Sequence, residues 1–197
     1  MISISFIVPY PDMKKVVEEA FEQHPERAEI NCNVILKTFE KIDKGDLVAD
    51  VVIARGYSAN LLKDLPIPVI NMTVTGFDIT VALSKCIQKY RPKRIAVMGP
   101  LNVVYGVEEI QDIFNCQITT IQVDDPSNIE REIFKFIRTD DDAIISGHTG
   151  HLVCKRKNIN CIMIESGRKT IYQAIDEAVR SIKILRQERA RSPPASE

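Results

Sequence analysis

Two short stretches hold the residues best suited to chemistry. One is Arg55-Gly56-Tyr57-Ser58, the other Gly147-His148-Thr149-Gly150. Each follows a run of apolar residues and precedes apolar residues at helical spacing, so each reads as a strand turning into a helix. Glycine at such a turn lets the backbone approach a ligand. The hydroxyl of Ser58 or Thr149 either caps the helix or hydrogen-bonds the ligand. Free N–H groups and the helix dipole favour an anion, by about 0.3–1 kcal/mol per contact. Arg55 adds a bidentate partner for a carboxylate or phosphate, and bonds to charged groups contribute about 1.5–3 kcal/mol each. The same residues also serve ordinary helix starts. The pairing of two such turns in one chain is what points to a small, polar, anionic ligand.

Other candidates are weaker. His148 and His151, spaced i,i+3, with Glu165 form a conceivable metal set, but no further His or Cys converges on them. No metal and no cofactor is expected. Walker A, GxGxxG and G-x-S-x-G patterns are all missing. The basic string Lys155–Lys157 is too short for a nucleic-acid patch, and the formal net charge of −1 argues against direct nucleic-acid contact. Asp140, Asp141 and Asp142 read as a solvated turn at the amino edge of a strand, and His24 as the polar end of the first helix. The 5 cysteines are scattered, with no CxxC pair, and fit reduced thiols in a cytoplasmic core. No basic n-region opens the chain, and no apolar run approaches the roughly 20 residues of a membrane span.

These residues need a scaffold, and the 197-residue chain supplies it twice. Asp50–Gly76 aligns without a gap on Asp141–Gly167, placing Gly56 on Gly147, Ser58 on Thr149, Thr75 on Ser166 and Gly76 on Gly167. Ile4, Pro9, Val16 and Glu18 fall on Ile95, Pro100, Val107 and Glu109 at the same offset. Strands are predicted at Ile2–Val8, Asn33–Lys37, Asp50–Ala54 and Pro68–Met72, then at Arg94–Met98, Gln117–Gln122, Ala143–Ser146 and Cys161–Ile164. Helices are predicted at Met13–Phe21, Lys41–Leu47, Ser58–Lys63, Phe77–Tyr90 and Tyr105–Phe114. Another starts at Ser127, capped with Glu130, and runs to about Arg138. The alternation implies an α/β fold of two similar lobes, each a four-stranded parallel sheet flanked by helices. Lobe 1 is assigned to residues 1–75, joined by a long final helix over 168–191; lobe 2 is 76–167, and 192–197 is a tail. Ligands of open α/β sheets bind beyond the carboxyl ends of strands. There lie Pro9 and Tyr10, Arg55, Gly56 and Ser58, Thr75 and Gly76. The second half places Gly99, Pro100 and Asn102, then Gly147, His148, Thr149 and Gly150, then Ser166 and Gly167.

At these strand ends the sequence resembles the N-terminal sensory domain of the propionate-catabolism activator, among NtrC-type regulators that act with sigma-54 RNA polymerase. The matching pieces are VVIARGYSANLL, IPVINMTVTGFDI, RIAVMGPLNVVYGVE and the ISGHTG…ESG pair, followed by a long helix. The resemblance implies a chelatase-like or periplasmic-binding-protein-like sensor that holds a small metabolite between its lobes. In those regulators the effector is a tricarboxylate, 2-methylcitrate. The residues carried over by position are Arg55, Gly56, Ser58, Thr75, Gly76, Pro100, Asn102, Gly147, Thr149, Ser166 and Gly167; His148, in the second turn, is added to the candidate site. Regulators of this kind carry an ATPase domain and a helix-turn-helix downstream. The expectation is therefore a sensory segment, excised or free-standing, that is not an enzyme and that dimerises or not through its last helix.

The implied device is a switch in which ligand moves the final helix about connections near Thr73–Gly76 and Glu165–Arg168. The rivals are a racemase- or isomerase-like enzyme, which needs paired cysteines at strand exits, a metal chelatase built on His148, His151 and Glu165, and a module that binds only another macromolecule.

Overall fold

A computed structural model describes residues 1–107 and 110–191. The chain forms two four-stranded sheets, in which every pairing is parallel. It divides into two compact units, residues 1–72 with 168 onward, and residues 73–167.

The first unit holds β1 (Ile2–Val8), α1 (Pro11–Glu22), β2 (Ile30–Leu36), β3 (Val51–Ala54), α2 (Gly56–Leu62), β4 (Val69–Asn71) and α7 (Arg168–Arg191). Its strand order is β2-β1-β3-β4. β3 is buried at every position because helices cover both faces of the sheet. One face packs Ile4, Phe6 and Val51 against Val17 and Phe21 of α1 and Ile171, Ile175 and Ile182 of α7. The other packs Ile7, Val52 and Ala54 against Ala59 and Leu62 of α2. A long helix becomes stable by laying an apolar stripe on a sheet, and each such side chain contributes about 1.5–3 kcal/mol.

The second unit repeats the order, β6-β5-β7-β8. It comprises α3 (Gly76–Tyr90), β5 (Arg94–Gly99), α4 (Leu101–Val104), β6 (Gln117–Gln122), α5 (Ile129–Phe136), β7 (Asp142–Ser146), α6 (His148–Arg156) and β8 (Cys161–Met163). α3 and α4 cover one face and α5 and α6 the other. Among the described residues no helix is long and apolar enough to cross a membrane.

Several expectations are corrected. The second strand starts at Ile30, earlier than Asn33. Lys41–Leu47 is not a helix; 3-10 turns occupy Phe39–Lys41 and Lys44–Asp46, the latter set by Asp43 accepting from Gly45 N at 2.9 Å. Among the described residues of the span Tyr105–Phe114 no α-helix forms; a 3-10 turn lies at Gln111–Ile113, and the α-helix of this stretch is the single turn Leu101–Val104. Tyr105 leaves it with ψ 132, and Gly106 has φ +80. The repeat is therefore looser than one offset, since α4 is far shorter than α1. Ser127 does not cap α5: Asp125 accepts from Ser127 N at 2.9 Å and α5 begins at Ile129. Glu109 and the tail Ser192–Glu197 lie outside the described residues.

Two polar residues expected at the surface are interior. His24 is buried; its Nδ1 accepts from Glu26 N at 3.1 Å, so Nε2 carries the proton donated to Asp176 Oδ1 of α7 at 2.9 Å. Asp142, expected in a solvated turn, is 2% exposed. It accepts from Arg94 Nε at 2.9 Å, Arg138 N at 2.7 Å and Thr139 N at 3.2 Å. The Arg94 guanidinium above all holds its carboxyl below the usual range.

Because the folded value is depressed, the Asp142 contribution is fully present above the ordinary carboxylate pKa and is lost as pH falls through the folded one. Asp142→Asn is expected to cost about 1.5–3 kcal/mol at neutral pH, read as a lower denaturant midpoint. The gap to the parent protein should narrow in acid.

Candidate functional site

In each sheet the chain leaves a central strand toward one edge and returns toward the other, so a switch point lies between β1 and β3 and another between β5 and β7. Open α/β sheets bind ligands in the crevice outside the strand ends at such a point.

In the first unit that crevice is flanked by the starts of α1 and α2. Tyr10 is the N-cap of α1, with Pro11 at its first position. Arg55 is the N-cap of α2 in extended conformation, φ −134 and ψ 164. It is only 8% exposed. Gly56 has φ +54, a left-handed backbone that other residues adopt at a cost of about 1–2 kcal/mol. Ser58 is buried in the first turn of α2.

In the second unit the starts of α4 and α6 flank the crevice. Pro100 is the N-cap of α4 and Asn102 lies in its turn. Leu101 N donates to Asp124 Oδ1 at 3.3 Å, so a carboxylate already sits at this helix start. Gly147 is the N-cap of α6, with no side-chain cap, and His148 and Thr149 open the helix. A Cβ on Gly147 would meet nothing within 4 Å.

Thr75 and Gly76 start α3, also in the second unit. Here the hydroxyl is committed to structure. Thr75 Oγ1 accepts from Asp78 N at 3.2 Å and donates to Asp78 Oδ2 at 2.8 Å. Asp78 Oδ2 also accepts from Thr75 N at 3.0 Å, closing a capping box. Asp78 Oδ1 accepts from Gly167 N at 3.1 Å, tying the segment after β8 to the start of α3. Ser166 lies in that segment, beyond the carboxyl end of β8.

Asp78 and Asp124 escaped notice in the sequence. The signal for the first was available: Thr followed three residues later by an acid, ahead of an apolar run. The second pairs across 23 residues and leaves no local trace. Gly150, in α6, is where a side chain is forbidden. A Cβ there would stand 2.6 Å from Ser146 Oγ and 2.9 Å from its Cβ.

His151 lies one turn into α6. Its Nδ1 is buried with no hydrogen-bond partner among the described residues. Burial first, then Lys155 and Lys89, hold the imidazole below the ordinary histidine value, and Glu165 opposes them. Among the described residues no three His, Cys, Asp or Glu side chains are grouped to hold a metal, so the chelatase set of His148, His151 and Glu165 is not assembled. Nor do the cysteines stand at strand exits. Cys86 is on α3, Cys154 in α6 and Cys161 at the start of β8. Burial pushes the Cys86 thiol up to about 12, and the Cys161 thiol is raised by its hydrogen bond with Cys154 and by burial.

The two glycines of the α6 turn should respond oppositely. Gly147→Ala is expected to leave the thermal midpoint nearly unchanged. Gly150→Ala should lower stability by about 1–3 kcal/mol, since overpacking would push α6 off β7.

A profile described as propionate catabolism activator matches residues 28–188. Among solved structures the chain is similar to an NtrC family transcriptional regulator from Clostridium acetobutylicum. Identity is 19% over 93% of this chain and 97% of that one, with a TM-score of 0.75. Looser likenesses extend to a LacI family transcriptional regulator from Bifidobacterium animalis subsp. lactis, at 13% identity, 92% and 90% coverage and TM-score 0.43. A substrate-binding protein with adhesive properties from Clostridium difficile follows at 12% identity, 94% and 85% coverage and TM-score 0.37. These two superpose too loosely to carry any argument. Curated protein sequences yield no match. With residues 28–188 matched to the profile, the chain belongs to the propionate catabolism activator family.

Proposed function

We propose that this domain binds a small anionic metabolite, a polycarboxylate such as 2-methylcitrate, at its strand exits and signals through α7. It is a sensor and not an enzyme, acts in the cytoplasm, and controls ATPase and DNA-binding domains that follow it in the full regulator. The carrying observation is the uncapped start of α6, with Gly147, His148 and Thr149 beside the β5–β7 switch point. Two neighbouring helix starts in the same unit already have a carboxylate of their own, Asp124 at α4 and Asp78 at α3. Chemically, α6 is a position where an external carboxylate can serve. In the first unit the buried guanidinium of Arg55 supplies a cation at the equivalent exit.

α7 suits an output role. Its apolar stripe is buried as far as Ile182, and from Arg186 to Arg191 every residue is exposed while the helix continues. To move a two-state switch from 1:99 to 99:1 the effector must prefer one state by about 5.5 kcal/mol. A few charge-assisted hydrogen bonds made in one state only are enough.

Titration calorimetry with 2-methylcitrate and citrate tests this reading. Saturable heat is expected. Arg55→Gln should weaken binding by roughly tenfold to a hundredfold, about 1.5–3 kcal/mol, with the melting profile recorded alongside to separate loss of binding from loss of fold. No heat from any polycarboxylate at millimolar concentration overturns it.

A further inference from the structure

The charged groups around His151 make its proton a variable of the binding site. His151 follows the N-cap Gly147 by four residues. At about 1.5 Å rise per residue it lies about 6 Å along the axis from the start of α6. That is inside the Debye length of about 8 Å at physiological salt. Three lysines bear on this region. Lys155 is on the same helix and Lys89 is on α3; both act on the imidazole directly, while Glu165, after β8, acts with the opposite sign. Lys85, also on α3, holds Glu165 at 2.8 Å. On α5, Glu130 is engaged by Lys157 at 2.9 Å and Glu132 by Lys135 at 2.8 Å. The cluster therefore presents more positive than negative charge to a ring whose Nδ1 is already buried without a partner.

We infer that an anionic effector bound at the first turn of α6 is taken up together with a proton on His151. The inference rests on the proposed function and adds its regulation by pH. In the free domain the partial burial of the ring, and then the lysines, favour neutral imidazole. A carboxylate arriving at the helix start offsets the lysine field, and a ring nitrogen takes a proton from solvent. The sign follows. Below the free-state pKa the ring is charged with or without ligand, and affinity does not depend on it. Between the free-state and bound-state values, affinity falls as pH rises, by at most about tenfold per unit for one proton. Above the bound-state value the coupling vanishes again.

The test is calorimetry of the protein with citrate near pH 6.5, about the ordinary histidine value. It is run in PIPES and in Bis-Tris, whose ionisation enthalpies differ. The parent protein should take up a larger fraction of a proton than His151→Gln; the difference between the two cancels the protons citrate itself carries. Affinity of the parent should fall about threefold to tenfold more per pH unit than that of the variant. Lys89→Met, which removes an exposed charge from the cluster, should move that decline to higher pH. Equal proton uptake in parent and His151→Gln, or a pH profile that Lys89→Met does not move, overturns the inference while leaving anion sensing intact. No heat in either buffer overturns both.

Discussion

Parallel pairing of every strand is the constraint from which the rest follows. A parallel neighbour can be reached only by a crossover, and all the crossovers here except the one from β2 to β3 carry an α-helix whose start follows the carboxyl end of a strand. Helix starts leave N–H groups without intrahelical partners. One edge of each sheet thus collects backbone donors, and the protein must decide start by start who satisfies them. In the second unit two starts are answered internally, by Asp78 and Asp124, and α6 has no side-chain cap. That difference sets the start of α6 apart from those of α3 and α4.

Burial on both faces explains why so much of the fold is legible in the sequence. Central strands such as Val51–Ala54 and Ala143–Ser146 read as unbroken apolar runs because nothing of them meets water. The edge strands β2 and β6 keep exposed positions, and β2 was the one whose start was misjudged. The stripe of α7 was legible for the same reason, since a helix lying on a sheet must repeat its apolar residues with helical period.

What stayed hidden depends on contacts across distance. Nothing local says that Asp142 is buried while its neighbour Asp141 reaches Lys93 from the surface. The decision is made by Arg94, on the adjacent strand. His24 likewise looks like the polar end of a helix until Asp176 arrives from the far end of the chain. In the candidate site, residue types at the α2 and α6 turns were readable, and the split between occupied and open helix starts was not. Thr75 has the right chemistry for a ligand contact, yet its hydroxyl is spent on Asp78.

The first unit is assembled from two stretches of chain separated by the whole of the second. On the ribosome, residues 1–72 emerge first, yet the face of β1 and β3 that carries Ile4, Phe6 and Ile53 has only α1 to cover it until α7 appears. The inserted unit holds all its own elements and is complete once Gly167 has left the tunnel. Order of synthesis and order of folding are therefore inverted for the amino-terminal sheet. It stays partly uncovered until a helix made after the inserted unit reaches it.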